Sequence, residues 1–166
     1  MFKRIFTVFA VISLATTALA HDKATGIVKE RMDGMGVLST AMKSILAQTQ
    51  SKTPDPDALK QAARAIQDHA GAAMTKRFPE GSLDHPSEAK EEIWQDWARF
   101  EHLAQQLDLH AKGLELAAAN PPSGKPTDLR DDRALSDFAT MGPDEVFTLL
   151  GKNCVACHKE FRAKKK

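Results

Sequence analysis

Two cysteines, the only ones in 166 residues, lie three positions apart in Cys154-Val155-Ala156-Cys157, and the next residue is His158. Thiols at that spacing share one face of a helix, so both sulfurs can reach the two vinyl groups along one edge of a porphyrin. The imidazole that follows can then turn over the ring and bind its iron. The pattern C-x-x-C-H is the signature of covalent haem attachment. Three other chemistries use paired cysteines. A thioredoxin-like pair belongs near a helix start that follows a strand, and no strand pattern precedes this one. A structural zinc site needs further strong ligands, whereas His21, His69, His85, His102 and His110 are distant and without paired spacing. A disulfide closing so small a loop would contribute little, because loop-closure entropy rewards long loops. The reading carried forward is one haem c, bound covalently through Cys154 and Cys157, with His158 as an axial ligand of its iron.

Such attachment is completed in bacteria outside the cytoplasm, and the start of the chain fits that destination. Lys3-Arg4 precedes an apolar run from Ile5 to Leu14, and small residues stand at Ala18 and Ala20. This is the layout of a cleaved secretory signal peptide over residues 1–20, with an apolar run too short for a stable transmembrane helix. The mature chain is expected to span residues 21–166 and to be periplasmic, with no membrane insertion after cleavage. Losing Lys3 and Arg4 turns the formal net charge from +1 to −1, which leaves no strong field for nucleic acid. Lys164, Lys165 and Lys166 read as a solvated terminus.

A haem-bearing helix needs partners, and the rest of the sequence supplies three. The composition, 42% hydrophobic and 27% charged, suits one globular domain. A first helical pattern runs from about Lys23 to Thr49, with Val28, Met35, Leu38, Met42 and Ile45 on one stripe. A second begins after Thr53-Pro54-Asp55-Pro56, where Asp55 can cap and Pro56 suits the first helical position, and it ends before Phe78. The third places Ile93, Trp97, Phe100, Ala104, Leu107, Ala111, Leu114 and Ala118 in a 4-3-4-3 rhythm until Asn120-Pro121-Pro122 stops it. A fourth, from about Asp128 to Arg162, is open to interruption at Gly142-Pro143. No segment alternates with period two. An all-α, antiparallel four-helix bundle is the consistent fold class, with the haem near the carboxyl end of the last helix.

With these features together, the chain resembles the class II cytochromes c, the group of cytochrome c′ and its low-spin His/Met relatives. The resemblance covers the mature chain and rests on the haem motif followed by Phe161-Arg162. It rests further on Glu30-Arg31-Met32-Asp33-Gly34-Met35, Phe78-Pro79-Glu80-Gly81-Ser82 and Ile93-Trp94-Gln95-Asp96-Trp97. It implies that the residue four positions after Arg31, here Met35, faces the distal side of the iron. Met35 is therefore the expected sixth ligand, since a thioether favours ferrous iron and raises the reduction potential. Set against this, a methionine on a bundle stripe is more often core filler. Met32 lies beside the stripe, and Met74 and Met141 lack the context. Arg31 shares nearly the same face, where the resemblance pairs it with a haem propionate; the alternative is a solvent-facing charge. Arg162, one turn after His158, either tunes that ligand or is an exposed terminal arginine. Trp94 and Trp97 read as packing residues, and the remaining histidines as surface or partly satisfied groups.

The leading functional expectation is a periplasmic one-electron carrier, not an enzyme, with His158 and Met35 on the iron and transient redox partner proteins at the haem edge. The runner-up is a high-spin protein of the cytochrome c′ type that binds nitric oxide or carbon monoxide at an open distal face lined by Met35. A haem peroxidase would need a distal His/Arg pair that the sequence does not display. A homodimer is a further candidate assembly, since relatives often pair through their first two helices, although Ala62, Ala63, Ala70 and Ala73 equally suit packing within one chain.

Overall fold

The computed structural model describes residues 24–164 apart from 126, 129 and 131. The signal peptide expected over residues 1–20 lies outside the described residues. In chain order the helices are α1 (Gly26–Thr49), α2 (Pro56–Gln67), α3 (Gly71–Thr75), α4 (Glu92–Gln95) and α5 (Trp97–Ala117), then a 3-10 helix (Leu135–Thr140) and α6 (Pro143–Phe161). The four long ones pack in a ring, α1 on α2, α2 on α5, α5 on α6 and α6 back on α1. This is the expected four-helix bundle.

Side-chain spacing explains the ring. On α1 the buried positions are Val28, Arg31, Gly34, Leu38, Ala41 and Ile45, an inward stripe at three- and four-residue intervals. Met35 and Met42, expected on that stripe, lie half-buried at its edge, and Arg31 occupies the stripe itself. Helix α2 starts as its sequence requires, with the Asp55 carboxylate accepting the Asp57 N–H at 2.9 Å and Pro56 in the first position.

Three of the expected helices are divided. The second breaks after Gln67 and restarts at Gly71, whose φ of +52° turns the chain so that α3 lies on α5. The third breaks at Asp96, whose carboxylate accepts the Arg99 N–H at 3.2 Å and so caps a new start within an unbroken apolar rhythm. The fourth begins only at Pro143, with the Glu145 carboxylate reaching back to accept the Gly142 N–H at 2.9 Å. Before it, Asn120 donates to the carbonyls of Ala139 and Met141 at 2.9 and 2.8 Å and folds the 3-10 segment against the end of α5.

Phe138 of that segment is fully buried, and its ring fills the notch left by the missing side chain of Gly113 on α5. A β-carbon at 113 would stand 2.4 Å from the ring. His110, expected at the surface or partly satisfied, is instead buried beside Phe138, with ring centroids 5.9 Å apart. Elsewhere in a helix, Gly→Ala is favourable by about 1 kcal/mol. Here the clash decides the sign, and Gly113→Ala is expected to lower unfolding free energy by about 1–3 kcal/mol in urea titration.

Asp144, in the first turn of α6, holds the preceding loop. Its carboxylate accepts the N–H groups of Ser123 and Gly124 at 2.8 and 2.9 Å. Burial alone would raise its proton affinity, but these N–H groups, with those of Asp144 and Glu145, outweigh burial and hold the carboxyl below its ordinary value. A depressed folded-state value means stability that is complete above the unfolded value, about 4, and lost as pH falls through the folded one. Asp144→Asn should therefore cost about 1–3 kcal/mol at neutral pH. Its stability should then fall less steeply than that of the unaltered protein between about pH 4 and the acid limit, as chemical denaturation at stepped pH would report.

Candidate functional site

Helix α6 carries the three residues of the sequence motif, and its rotation is set by its neighbours. Val146, Leu149, Leu150, Asn153 and Phe161 face the core. Asn153, beside Cys154, is buried and donates its amide N–H to the Leu103 carbonyl of α5 at 3.0 Å. Phe161 packs edge-on against Phe100, with ring centroids 5.5 Å apart. Between these two fixed points Cys154 and Cys157 are half-buried against the core, Val155 is 68% exposed, and His158 reaches solvent. The thiols thus stand at the edge of the apolar interior, and the imidazole stands beside them.

The electrostatics suit attachment better than thiol redox chemistry. Burial raises the proton affinity of Cys154. It pushes Cys157 up to about 11, with the charges of Cys154 and Glu160 adding to the rise and Arg99 opposing it. Both groups stay neutral near pH 7, without the stabilised thiolate of a thioredoxin-like pair. The surrounding protein lowers the proton affinity of His158, the Arg162 charge lowers it further, and Glu88 opposes the change. A neutral imidazole is the form that binds a metal. Among the described residues no three His, Cys, Asp or Glu side chains gather where they could hold a bare metal ion. The zinc alternative therefore lacks a ligand set among those residues.

Arg31 is the feature whose depth the sequence left open. Its side chain leaves the residue only 5% exposed. The guanidinium donates to the Ser82 hydroxyl at 3.2 Å and to the Ser82 carbonyl. It also stacks over the Phe78 ring, 4.8 Å from the centroid. Burial lowers its proton affinity and the charge of Asp84 opposes that, but a guanidinium remains charged in proteins. Its Nε is buried and has no hydrogen-bond partner. A buried, incompletely satisfied cation fits an anionic group placed beside it. The segment Phe78-Pro79-Glu80-Gly81-Ser82 is thus the seat of this arginine. The sequence marked both pieces, yet nothing in their separation tied them together.

From Arg31 a chain of aromatic contacts runs to the haem helix. Phe78 meets Phe100 edge-on at 4.9 Å, and Phe100 meets Phe161, three residues beyond His158. Trp94 donates its indole N–H to the Phe78 carbonyl at 3.0 Å, and Trp97 tilts against Phe100 at 5.6 Å. Trp94 packs against the core, as expected, whereas Trp97 is exposed and meets the core only at Phe100. This ladder places Arg31 at the same end of the bundle as Cys154, Cys157 and His158. Half-buried thiols, an accessible imidazole and an orphaned guanidinium nitrogen together fit a covalently held haem.

Comparison with known proteins gives a consistent result. The family model described as Cytochrome C′ matches residues 26–162. Cytochrome c′ of Rhodospirillum rubrum is 30% identical over 164 residues, which cover 97% of this chain and 99% of that one. The crystal structure of cytochrome c′ from Thermochromatium tepidum aligns with a TM-score of 0.63 at 22% identity, over 83% of this chain and 95% of that chain. A cytochrome c′ described by its ligand-controlled dimer dissociation aligns equally well, at 20% identity and the same coverage.

These matches overturn the leading expectation of a one-electron carrier with His158 and Met35 on the iron. They are to cytochrome c′ itself, the high-spin, gas-binding type. Met35 itself lies half-buried at the edge of the α1 stripe, packed against the core. With its haem motif on the last helix of a four-helix bundle and a family match from 26 to 162, the chain belongs to the cytochrome c′ family, whose members carry covalently attached haem c and its iron.

Proposed function

We propose that the protein binds nitric oxide or carbon monoxide at an open face of a five-coordinate haem, and does so without turning over a substrate. When bound, the haem would supply an iron able to take up a diatomic gas. Cys154 and Cys157 form the two thioether links. His158 would hold the iron through a neutral imidazole. Met35 is an apolar wall of the opposite face and contributes no bond to the metal. Arg31 pairs with a propionate, which supplies the acceptor that its buried Nε lacks. The observation that carries this reading is the family match across residues 26–162, combined with a position-35 side chain engaged in core packing. Residues 1–20 are read as a cleaved signal peptide that delivers residues 21–166 to the periplasm. Among the described residues no helix is long and apolar enough to cross a membrane.

A second copy of the chain is the partner we infer. The outer face of α1 and α2 carries an open groove of about 650 Å³ lined by small residues including Gly36, Thr40, Ala58 and Ala62. Small side chains let helices of two subunits approach closely.

Three measurements test these readings. Mass spectrometry of the secreted protein should show one added tetrapyrrole, lost in Cys154→Ser/Cys157→Ser. Its optical spectrum should be high-spin, should shift on adding carbon monoxide, and should stay high-spin in Met35→Ala; a low-spin spectrum that becomes high-spin in Met35→Ala would refute the open face. Analytical ultracentrifugation should give a dimer that Thr40→Glu, at an exposed position of the groove, converts to monomer with an unchanged haem spectrum. A monomer at every concentration would remove the partner.

A further inference from the structure

The last turn of α6 is finished by a segment some seventy residues earlier. A helix ends with carbonyls that have no partner within it. Here the Lys90 N–H donates to the Phe161 carbonyl at 3.0 Å, and the Lys90 ammonium donates to the Glu160 carbonyl at 2.8 Å. A cation at a helix C-terminus is also favoured by the helix dipole. Past the helix, Arg162 adopts extended backbone and forms an antiparallel bridge with Ala89, while the Ala163 N–H donates to the Glu88 carbonyl at 2.8 Å. The clasp ends in an ion pair: Arg162 donates from Nε to Glu88 Oε2 at 2.7 Å and lies 2.5 Å from it through a terminal nitrogen. From the other side, Arg99 of α5 grips the Glu160 carboxylate through two nitrogens, at 3.2 and 3.1 Å.

This arrangement bears directly on His158. The imidazole is one helical turn before Arg162, and its backbone carbonyl accepts the Arg162 N–H at 3.2 Å. The His158 ring reaches solvent, and the backbone bond to Arg162 ties this turn of the helix to the clasp. An exposed ion pair contributes little to stability, with a median of about 0–1 kcal/mol. What this pair does is geometric: it anchors the side chain of Arg162, whose N–H is bonded to the His158 carbonyl, at a set place. Outer partners of this kind govern a ligand's basicity and orientation.

We propose that Glu88 is a positioning residue for the proximal ligand: by holding Arg162 in the 88–90 clasp, it fixes the charge that His158 experiences and so sets the strength of the bond from His158 to the iron. The proposal rests on the reading above that His158 is that ligand. Glu88→Gln keeps the side-chain shape and removes the charge that restrains Arg162. The arginine's positive charge is then uncompensated, which favours the ferrous state.

The test is resonance Raman spectroscopy and redox titration of the ferrous holoprotein, with hydrogen exchange of the Lys90 and Ala163 amides. Glu88→Gln should shift the iron–imidazole stretching band, raise the midpoint potential and speed exchange at both amides. Glu88→Asp, with the charge restored, should recover at least half of the shift in band and potential. In an Arg162→Gln background, Glu88→Gln should move the band by less than a third of its effect alone. Unchanged band and potential in Glu88→Gln, or an equal shift with and without Arg162, would overturn the proposal. Should Glu88→Gln fail to fold, Arg162→Gln decides the matter: its band should shift from that of the unaltered protein, and an unchanged band there would overturn the proposal. Absence of an iron–imidazole band in the unaltered protein would instead refute the five-coordinate reading of the haem on which the proposal rests, which keeps the two failures apart.

Discussion

The orientation of α6 about its own axis is the constraint on which the rest of the molecule turns. Cys154, Cys157 and His158 lie within five consecutive residues, so a rotation of one residue, 100° of helix, would bury the wrong member of the set. Two contacts prevent this. Asn153 spends its amide on a carbonyl of α5, and Phe161 wedges against Phe100. The hydrogen bond is worth only about 1 kcal/mol in net stability, but breaking it would strand buried polar groups at a cost of about 1–3 kcal/mol. Directional cost, more than total stability, therefore keeps the thiols at the edge of the core. The apolar stripe alone would tolerate a small slip.

Around that fixed helix the protein assembles an asymmetric environment. One side holds Arg31, a cation brought inside and satisfied by Ser82 and Phe78 except at Nε. The other side is the solvent-reaching imidazole with its neighbouring ion pair. The aromatic ladder of Phe78, Phe100 and Phe161 is the mechanical link between the two. Edge-to-face rings pack densely, so these contacts join the seat of Arg31 to the last turn of α6 without a gap.

The fold class and the chemistry-bearing triad were legible in the sequence because each is encoded locally. C-x-x-C-H is contiguous, and helical periodicity is a short-range signal. The Asp55-Pro56 start was legible for the same reason. Helix interruptions at Asp96 and Gly71 were not, because the apolar rhythm continues through Asp96 and a lone glycine is tolerated in a helix at modest cost. The burial of Arg31 was hidden for a different reason. A charge on an apolar stripe reads as a surface group until its partner is known, and that partner, Ser82, is 51 residues away. The Glu88–Lys90 segment had no sequence signal at all, since its meeting with Arg162 depends on the path of the whole chain. The choice between carrier and gas binder turned on Met35, whose thioether can serve equally as ligand or as filler. Residue type alone did not decide it.

The nesting of Phe138 on Gly113 also constrains how this sequence can diverge. Any side chain at 113 collides with the ring, and any smaller residue at 138 leaves a void beside the buried His110. Either change alone lowers fitness through stability, while the two made together exchange volume across the same contact and can be neutral. Descendants of this chain should consequently vary at these two positions jointly, and the order in which the changes arise is restricted to lineages with stability to spare for the first.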